Sequence, residues 1–364
     1  MRVFTIGPTG VSESNAPPAQ LPAQGHVWIA CSRPEFEAGW PQLQATLQAL
    51  CGLQLVDLHV SDLLNAQLPS HFDYTSQYDL LVFRRLASTN GRADTAQAKA
   101  SRRGGPPILR HIDTSPVGFA VFERVLLSVH PADCAARDAY AARLLQASST
   151  EVRTASSRLP SSPADLMLRV INQMVDGFLD LRRELTRQLD HWQSELINPR
   201  TRFSNWAALL DARLSLHQLD EICEDQRAAV QDWIETVKTW PEMQTPAMER
   251  ERDLLLVRSR DVLEHIERVV HHVRRLEQSV ETAVQIHFNA QSNRTNDIMR
   301  TLTVLTAIFL PLNLIAGIFG MNFDVIPLIH EDSGFWWAMA SMGLTAVALA
   351  LLFWRKRYLE RSGR

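Results

Sequence analysis

The sequence predicts an α/β domain, a helical hairpin, a long helical stalk and two C-terminal transmembrane helices, and three observations carry that expectation. Short apolar runs alternate with helical stretches between residues 25 and 160. Apolar residues then recur at a and d spacing, with no proline between Pro246 and Pro311. Two apolar runs, 302–319 and 335–354, are each long enough to cross a bilayer as a helix.

Composition narrows the function classes before any motif is read. The 364 residues have a net charge of −3, which gives no sign of a nucleic-acid partner. A mean hydropathy of −0.12 averages a polar part with a small membrane part. Cys31, Cys51, Cys134 and Cys223 are scattered without metal-ligand spacing and read as buried small hydrophobes in a reducing compartment. No pairing of nucleophile with base supports an enzyme, and no cofactor is implied.

In chain order, residues 1–24 are rich in Pro, Ala and Ser, contain no long apolar run, and are expected to be disordered rather than a signal peptide. Residues 25–160 form the α/β domain, with strands predicted at 26–31, 53–60, 79–83, 108–112 and 117–122 and helices at 40–51 and 132–146. Within it, 87–107 is a polar insert with Arg92, Arg102 and Arg103, read as a flexible loop. Its Gly104-Gly105 pair precedes Pro-Pro and not Lys-Ser/Thr, so it is no phosphate loop. Residues 161–245 read as an antiparallel hairpin of helices 164–196 and 205–239, broken by Asn198-Pro199 and ended by Trp240-Pro241. The second arm carries Asp220, Glu221, Glu224, Asp225, Asp232 and Glu235, either a solvated face or a surface that attracts cations.

Residues 246–320 are one helix whose first part is the stalk and whose last part, 302–320, is the first transmembrane helix. Leu255, Val262, Ile266, Val269, Val273, Leu276, Val280 and Ala283 mark one seam, with Ser259 filling a slot. From 250 to 320 the helix would be roughly 100 Å long, so most of it projects from the membrane. An inner stripe continuing from stalk to membrane is what a symmetric bundle requires, and heptad spacing by itself also permits a dimer. Inside the apolar run, Met299, Thr303, Thr306, Leu310, Asn313, Gly317 and Gly320 follow at spacings of 4, 3, 4, 3, 4 and 3. This one stripe collects hydroxyls, an Asn and glycines, and serves either as a packing seam or as a pore lining. Residues 321–334 form the loop to the second transmembrane helix, 335–354, which opens on Phe335-Trp336-Trp337 and closes on Phe353-Trp354. The basic tail 355–364, against a loop without Lys or Arg, places both termini in the cytoplasm.

Ser292-Asn293-Arg294-Thr295-Asn296, Pro311, Gly320-Met321-Asn322 and a second apolar helix before a basic tail resemble the CorA family of divalent-cation channels. The close resemblance runs from about residue 260 to the C-terminus, and the first half matches in organisation only. It implies a CorA-like funnel: a homopentamer in the inner (plasma) membrane that takes up Mg²⁺, with Co²⁺ and Ni²⁺ as further cargo. Gly320, Met321 and Asn322 would be the selectivity filter. Mg²⁺ parts with water reluctantly, so Asn322 oxygens on a ring would accept from the hydrated ion. The pore would be lined by Asn296, Met299, Leu302, Thr303, Thr306, Leu310, Asn313 and Gly317, the larger apolar ones forming a constriction that dewets. Asp324, Glu331 and Asp332 would form an outer acidic collar. By alignment Asp261 would be half of a regulatory metal site that closes the channel when cytoplasmic Mg²⁺ is high. The linker departs from the commonest family pattern, with Ile326-Pro327 as in the related ZntB branch that handles zinc. A proton-coupled Zn²⁺ transporter is therefore an alternative, and a membrane-anchored oligomeric scaffold is one of another class.

Overall fold

The computed structural model describes residues 1–8, 10–87, 112–149, 159–197, 206–240, 245–321 and 334–355. The chain divides into two compact units, one built on a sheet and extending through Phe203–Glu281, the other built on Thr282–Arg364. The first unit holds strands β1 (Arg2–Ile6), β2 (Val11–Ser14), β3 (His26–Ser32), β4 (His71–Tyr74), β5 (Asp79–Leu86), β6 (Thr114–Val121) and β7 (Val125–His130). Its helices are α1 (Arg33–Cys51), α2 (Asp57–Leu64), α3 (Ala135–Ser149), α4 (Pro163–Ile197) and α5 (Trp206–Thr239). Helix α6 (Pro246–Phe319) is shared by both units, and α7 (Gly334–Arg355) belongs to the second.

The strands make one sheet in the order β2-β1-β3-β7-β6-β5-β4, in which β3 and β7 are parallel and every other pair is antiparallel. Strands β3 and β7 are buried almost throughout, as a central strand covered on both faces must be. Val27, Ile29 and Cys31 face a core built with Phe36, Leu47 and Leu63 of α1 and α2. Trp28 points the other way, stacks on Phe4 at 4.8 Å and meets the edge of Tyr140 of α3 at 6.1 Å. Its indole N–H donates to Ser128 Oγ at 2.8 Å, and Ser128 Oγ also lies 2.8 Å from His130 Nε2. His130 Nδ1 reaches the buried Cys134 Sγ at 3.2 Å, and burial drives the imidazole pKa down, so this network is neutral.

Local chemistry sets the element ends. Helix α1 opens on a capping box, with Glu35 N–H donating to Ser32 Oγ and Ser32 N–H donating to the Glu35 carboxylate at 2.8 Å. It closes on Gly52, whose φ of 68° is the left-handed turn that ends a helix. Helix α5 covers the β4–β5 edge, where Phe72 meets Trp233 at 5.8 Å and Gln226 Nε2 donates to the Arg84 carbonyl at 2.7 Å.

Two expectations need correction. The stretch 1–24 is not disordered throughout: β1 and β2 lie in it, and Val3, Phe4 and Ile6 are buried because β1 pairs with β3. Residues 53–60 are not a strand, since α2 begins at Asp57 and buries His59, Val60 and Leu63 at helical spacing. The predicted strand 108–112 and the insert 87–107 lie almost entirely outside the described residues. Sequence reading also passes over β4 and β7, which are short and follow turns closely.

Gly118 in β6 sits where α2 crosses the sheet, and a Cβ there would be 2.1 Å from Leu63 Cδ2. Leu63 is itself buried and cannot swing into solvent. Gly118→Ala is expected to cost about 1–3 kcal/mol by overpacking. Denaturant unfolding of purified protein checks this, with a shifted midpoint and unchanged slope as the expected result.

Candidate functional site

Helix α6 has 74 residues and an internal Pro311, so at 1.5 Å per residue it is roughly 110 Å long. Its apolar seam is buried from Leu255 through Val262, Ile266, Val269, Val273, Leu276 and Val280 to Ala283. The chain's own α4 and α5 fill that seam. Trp233 Nε1 donates to Ser259 Oγ at 2.9 Å, and Ser259 Oγ donates on to the Leu255 carbonyl at 2.8 Å. Thr186 Oγ1 lies 2.7 Å from His272 Nε2, and Gln193 Nε2 donates to Ser279 Oγ. Arg274 Nε binds Asp220 at 3.1 Å, and its other arm meets Glu224. The heptad seam therefore closes within one chain and is not a contact between copies.

A different set of heptad positions stays uncovered. Leu254, Val257, Asp261, Glu264, Arg268 and His271 are exposed at spacings of 3, 4, 3, 4 and 3, and continued at that spacing the series reaches Asn296 and Met299. From there it is the stripe Thr303, Thr306, Leu310, Asn313, Gly317 and Gly320, every member of which is exposed within the chain. Leu302, beside the stripe, is exposed too. At 100° per residue the shaded positions Val304, Ile308, Pro311 and Ile315 fall on roughly the opposite side of the helix. Val304 is buried and Ile308, Pro311 and Ile315 are half-buried on that side, while the polar stripe is exposed, as are the apolar Leu305, Phe309 and Leu314.

The chemistry of that open face follows from its hydrogen bonds. Thr303 Oγ1 donates to the Met299 carbonyl at 2.8 Å and Thr306 Oγ1 to the Leu302 carbonyl at 2.9 Å. Each hydroxyl has its proton engaged by the backbone, so what it offers outward is acceptor oxygen. The Asn313 side chain makes no hydrogen bond to the described residues. The helix ends in a tightened turn, where Gly320 N–H donates to Ala316 O at 3.0 Å and Met321 N–H to Ile318 O at 3.3 Å. A Cβ on Gly320 would stand 3.1 Å from that Ala316 oxygen, a close approach that a larger residue would have to relieve by a small shift. Asn322, Asp324, Glu331 and Asp332 lie outside the described residues.

Helices α6 and α7 are both long and apolar enough to cross a membrane. In α7, Phe335, Trp336 and Trp337 at one end and Trp354 at the other are exposed, as side chains at the two interfaces of a bilayer are. Buried Gly334 and Ala338 begin its shaded face.

Among the described residues no three metal-ligating side chains converge. Asp261 is exposed, with His265 Nε2 3.8 Å away, and it lines a cavity with Arg143, Arg169 and Arg258. The acidic arm is largely answered by cations: Asp220 and Glu224 by Arg274, Glu224 also by Arg227, and Glu235 by Lys238. Asp225 has its pKa raised, chiefly by burial and then by Glu221. Cys31, Cys134 and Cys223 are buried, and burial raises all three thiol pKa values, Cys31 to about 12.

An α/β unit, a long helix whose last part is membrane-length and carries one polar stripe, and a second membrane-length helix define a class of protein with two C-terminal helices able to cross a bilayer. The model of the family described as CorA-like Mg²⁺ transporter protein matches residues 23–357, and the chain belongs to that family. A cobalt/magnesium transport protein CorA of Thermotoga maritima is 26% identical over 194 residues, which is 53% of this chain and 52% of that protein. The chain thus spans about half the length of that curated relative. The complete structure of the CorA magnesium transporter from Methanocaldococcus jannaschii superposes with a TM-score of 0.70 at 18% identity, covering 100% of this chain and 98% of the other. The full-length CmaX protein superposes with a TM-score of 0.64, also at 18% identity, over 98% and 97% of the two chains. These two share the fold.

Ser259→Ala removes the hydroxyl without adding bulk to the slot and leaves the Trp233 indole N–H unpaired in a buried seam. The expected loss is about 1–3 kcal/mol, read as a lower unfolding midpoint, with Ser259→Thr losing less.

Proposed function

We propose that the chain conducts divalent cations, Mg²⁺ first, through a membrane pore lined by the open stripe of α6. The observation that carries this is the exposed stripe itself. The Asn313 amide, exposed on a membrane helix in one stripe with Thr303 and Thr306, needs water or other protein beside it, and lipid supplies neither. Acceptor oxygens suit a hydrated cation, whose bound waters are donors. The names of the family and of the Thermotoga relative support Mg²⁺ and Co²⁺ as cargo.

In this reading five copies surround the axis, with Asn322 oxygens forming the outer ring that selects the hydrated ion. Gly320 lets the backbone turn there, and Met321 packs the turn, since a thioether is a poor ligand for a hard cation. Asp324, Glu331 and Asp332 concentrate cations at the mouth. Asn313 and the threonines offer further acceptors, Leu310, Met299 and Leu302 make the constriction that closes by dewetting, and Asn296 marks the cytoplasmic mouth. Both termini lie in the cytoplasm. Asp261 supplies one carboxylate of a regulatory Mg²⁺ site completed by another copy: with the ion bound the acids are neutralised, and without it they repel and the stalks loosen. The Ile326-Pro327 linker supports a second reading, proton-coupled Zn²⁺ transport.

Uptake into proteoliposomes loaded with a Mg²⁺ dye or a Zn²⁺ dye separates them. Mg²⁺ entry that ignores a pH gradient and falls by at least about tenfold in Asn322→Ala is the expected result, a rise of about 1.4 kcal/mol or more in the rate-limiting barrier. Zinc entry that follows the gradient overturns it in favour of the second reading, and entry of neither leaves only an anchored scaffold. In the same vesicles Asp261→Ala is expected to abolish closure by Mg²⁺ on the stalk side. Unchanged closure removes Asp261 from the gate.

A further inference from the structure

Within the first unit, α4 and α6 are joined by Thr186 on His272 at 2.7 Å and, one heptad further along both helices, by Gln193 on Ser279. Leu185 and Leu189 of α4 and Val269, Val273 and Leu276 of α6 are buried beside the first of these, and His272 is half-buried. The polarity of its bond is fixed by a neighbour. Thr186 Oγ1 donates its one proton to the Arg182 carbonyl at 2.9 Å, so toward His272 it can only accept. His272 Nε2 therefore carries a proton, and in the neutral ring Nδ1 is bare. The charges within about one turn of this contact are mostly positive. Arg182 of α4 and Arg275 of α6 both act on the imidazole, and neither is in an ion pair with a described residue. Elsewhere on α4, Arg183 is held by Asp180 and Arg187 by Glu184, and Asp190 is exposed. On α6, Arg268 is held by Glu264, His271 is exposed, and Arg274 turns to Asp220 and Glu224 of α5.

We infer that His272 is a proton-operated release for the contact between α4 and the stalk helix. A proton taken up from acid solution has one place to go, Nδ1, and it turns the ring into an imidazolium between two guanidiniums. The Thr186 bond survives, because Nε2–H still donates. What changes is charge: a half-buried cation now has like charges on both helices, and parting α4 from α6 gives it water. Burial, and then Arg182 and Arg275, already hold the imidazole pKa below its ordinary value. A ring that protonates less readily in the closed contact than in the open one makes the contact lose strength with acid. The contact therefore keeps its full strength above about pH 6.5, the ordinary histidine value, and weakens as pH falls from there through the lowered one. The device lies within one chain and stands apart from the transport reading. In the proposed transporter it gives the stalk a proton input distinct from Asp261.

The test is hydrogen exchange read by mass spectrometry on the full chain in detergent micelles, at about pH 7.5 and about pH 5.5, with rates corrected for the intrinsic pH dependence of exchange. Protection of α4 peptides around Thr186 is expected to fall by at least about threefold at the lower pH. His272→Gln keeps an N–H for Thr186 without titrating, and should hold that protection at both pH values. Arg182→Gln combined with Arg275→Gln leaves the hydrogen bond in place and should shrink the loss, while His271→Gln, one residue away and exposed, should leave the loss as it is. Protection of α4 that does not change with pH, or a loss that persists undiminished in His272→Gln, overturns the inference.

Discussion

Everything in the chain depends on how one 74-residue helix divides its surface. A helix of that length with heptad chemistry has to hide an apolar seam, and here the seam is hidden by α4 and α5 of the same chain. The Trp233–Ser259–Leu255 relay shows how the division is enforced, because a polar slot near the start of the seam is filled by a hydrogen bond from α5. With that side satisfied internally, the other heptad positions are released. They carry charge along the stalk and then hydroxyls, amide and glycine along the membrane stretch, so one periodicity serves two solvents.

The sheet serves this helix from a distance. Strands β4 and β5 seat α5 through Phe72, Trp233 and the Gln226–Arg84 bond, and α5 in turn holds α6 through Asp220 and Glu224 on Arg274. The acidic run on α5 thereby has a structural use that charge counting misses. Asp220 and Glu224 pair with the stalk guanidinium of Arg274, which lowers the appeal of these two to free divalent cations. At Asp220 and Glu224, what looks like a cation-collecting face is one side of a helix contact.

Much of this is legible in residue order, and the gaps have physical causes. Long, strongly periodic stretches declare themselves: the apolar runs, the seam from Leu255 to Ala283, and the stripe from Met299 to Gly320 all follow from spacing. Spacing cannot name the partner, however, and a seam closed by α5 reads like one closed by another copy. Short apolar runs mislead at 53–60, where the same residues satisfy a half-buried strand or one turn and a half of helix. At the N-terminus the strand Arg2–Ile6 is five residues long and owes its burial to β3, more than twenty residues away. Of the candidate site, Thr303, Thr306 and Asn313 are found by periodicity. The Thr186–His272 contact is invisible in sequence, because its two residues lie on different helices and share no local pattern.

The internally closed seam also fixes an order of events in time. Because α4 and α5 travel on the same polypeptide as α6, the sheet and stalk can consolidate at a rate that does not depend on how many chains are present. In the proposed assembly, association through the open positions would be a second, concentration-dependent step between bodies already ordered, and a chain waiting for partners would have its long apolar seam already covered, showing Leu254, Val257 and charged groups on its stalk.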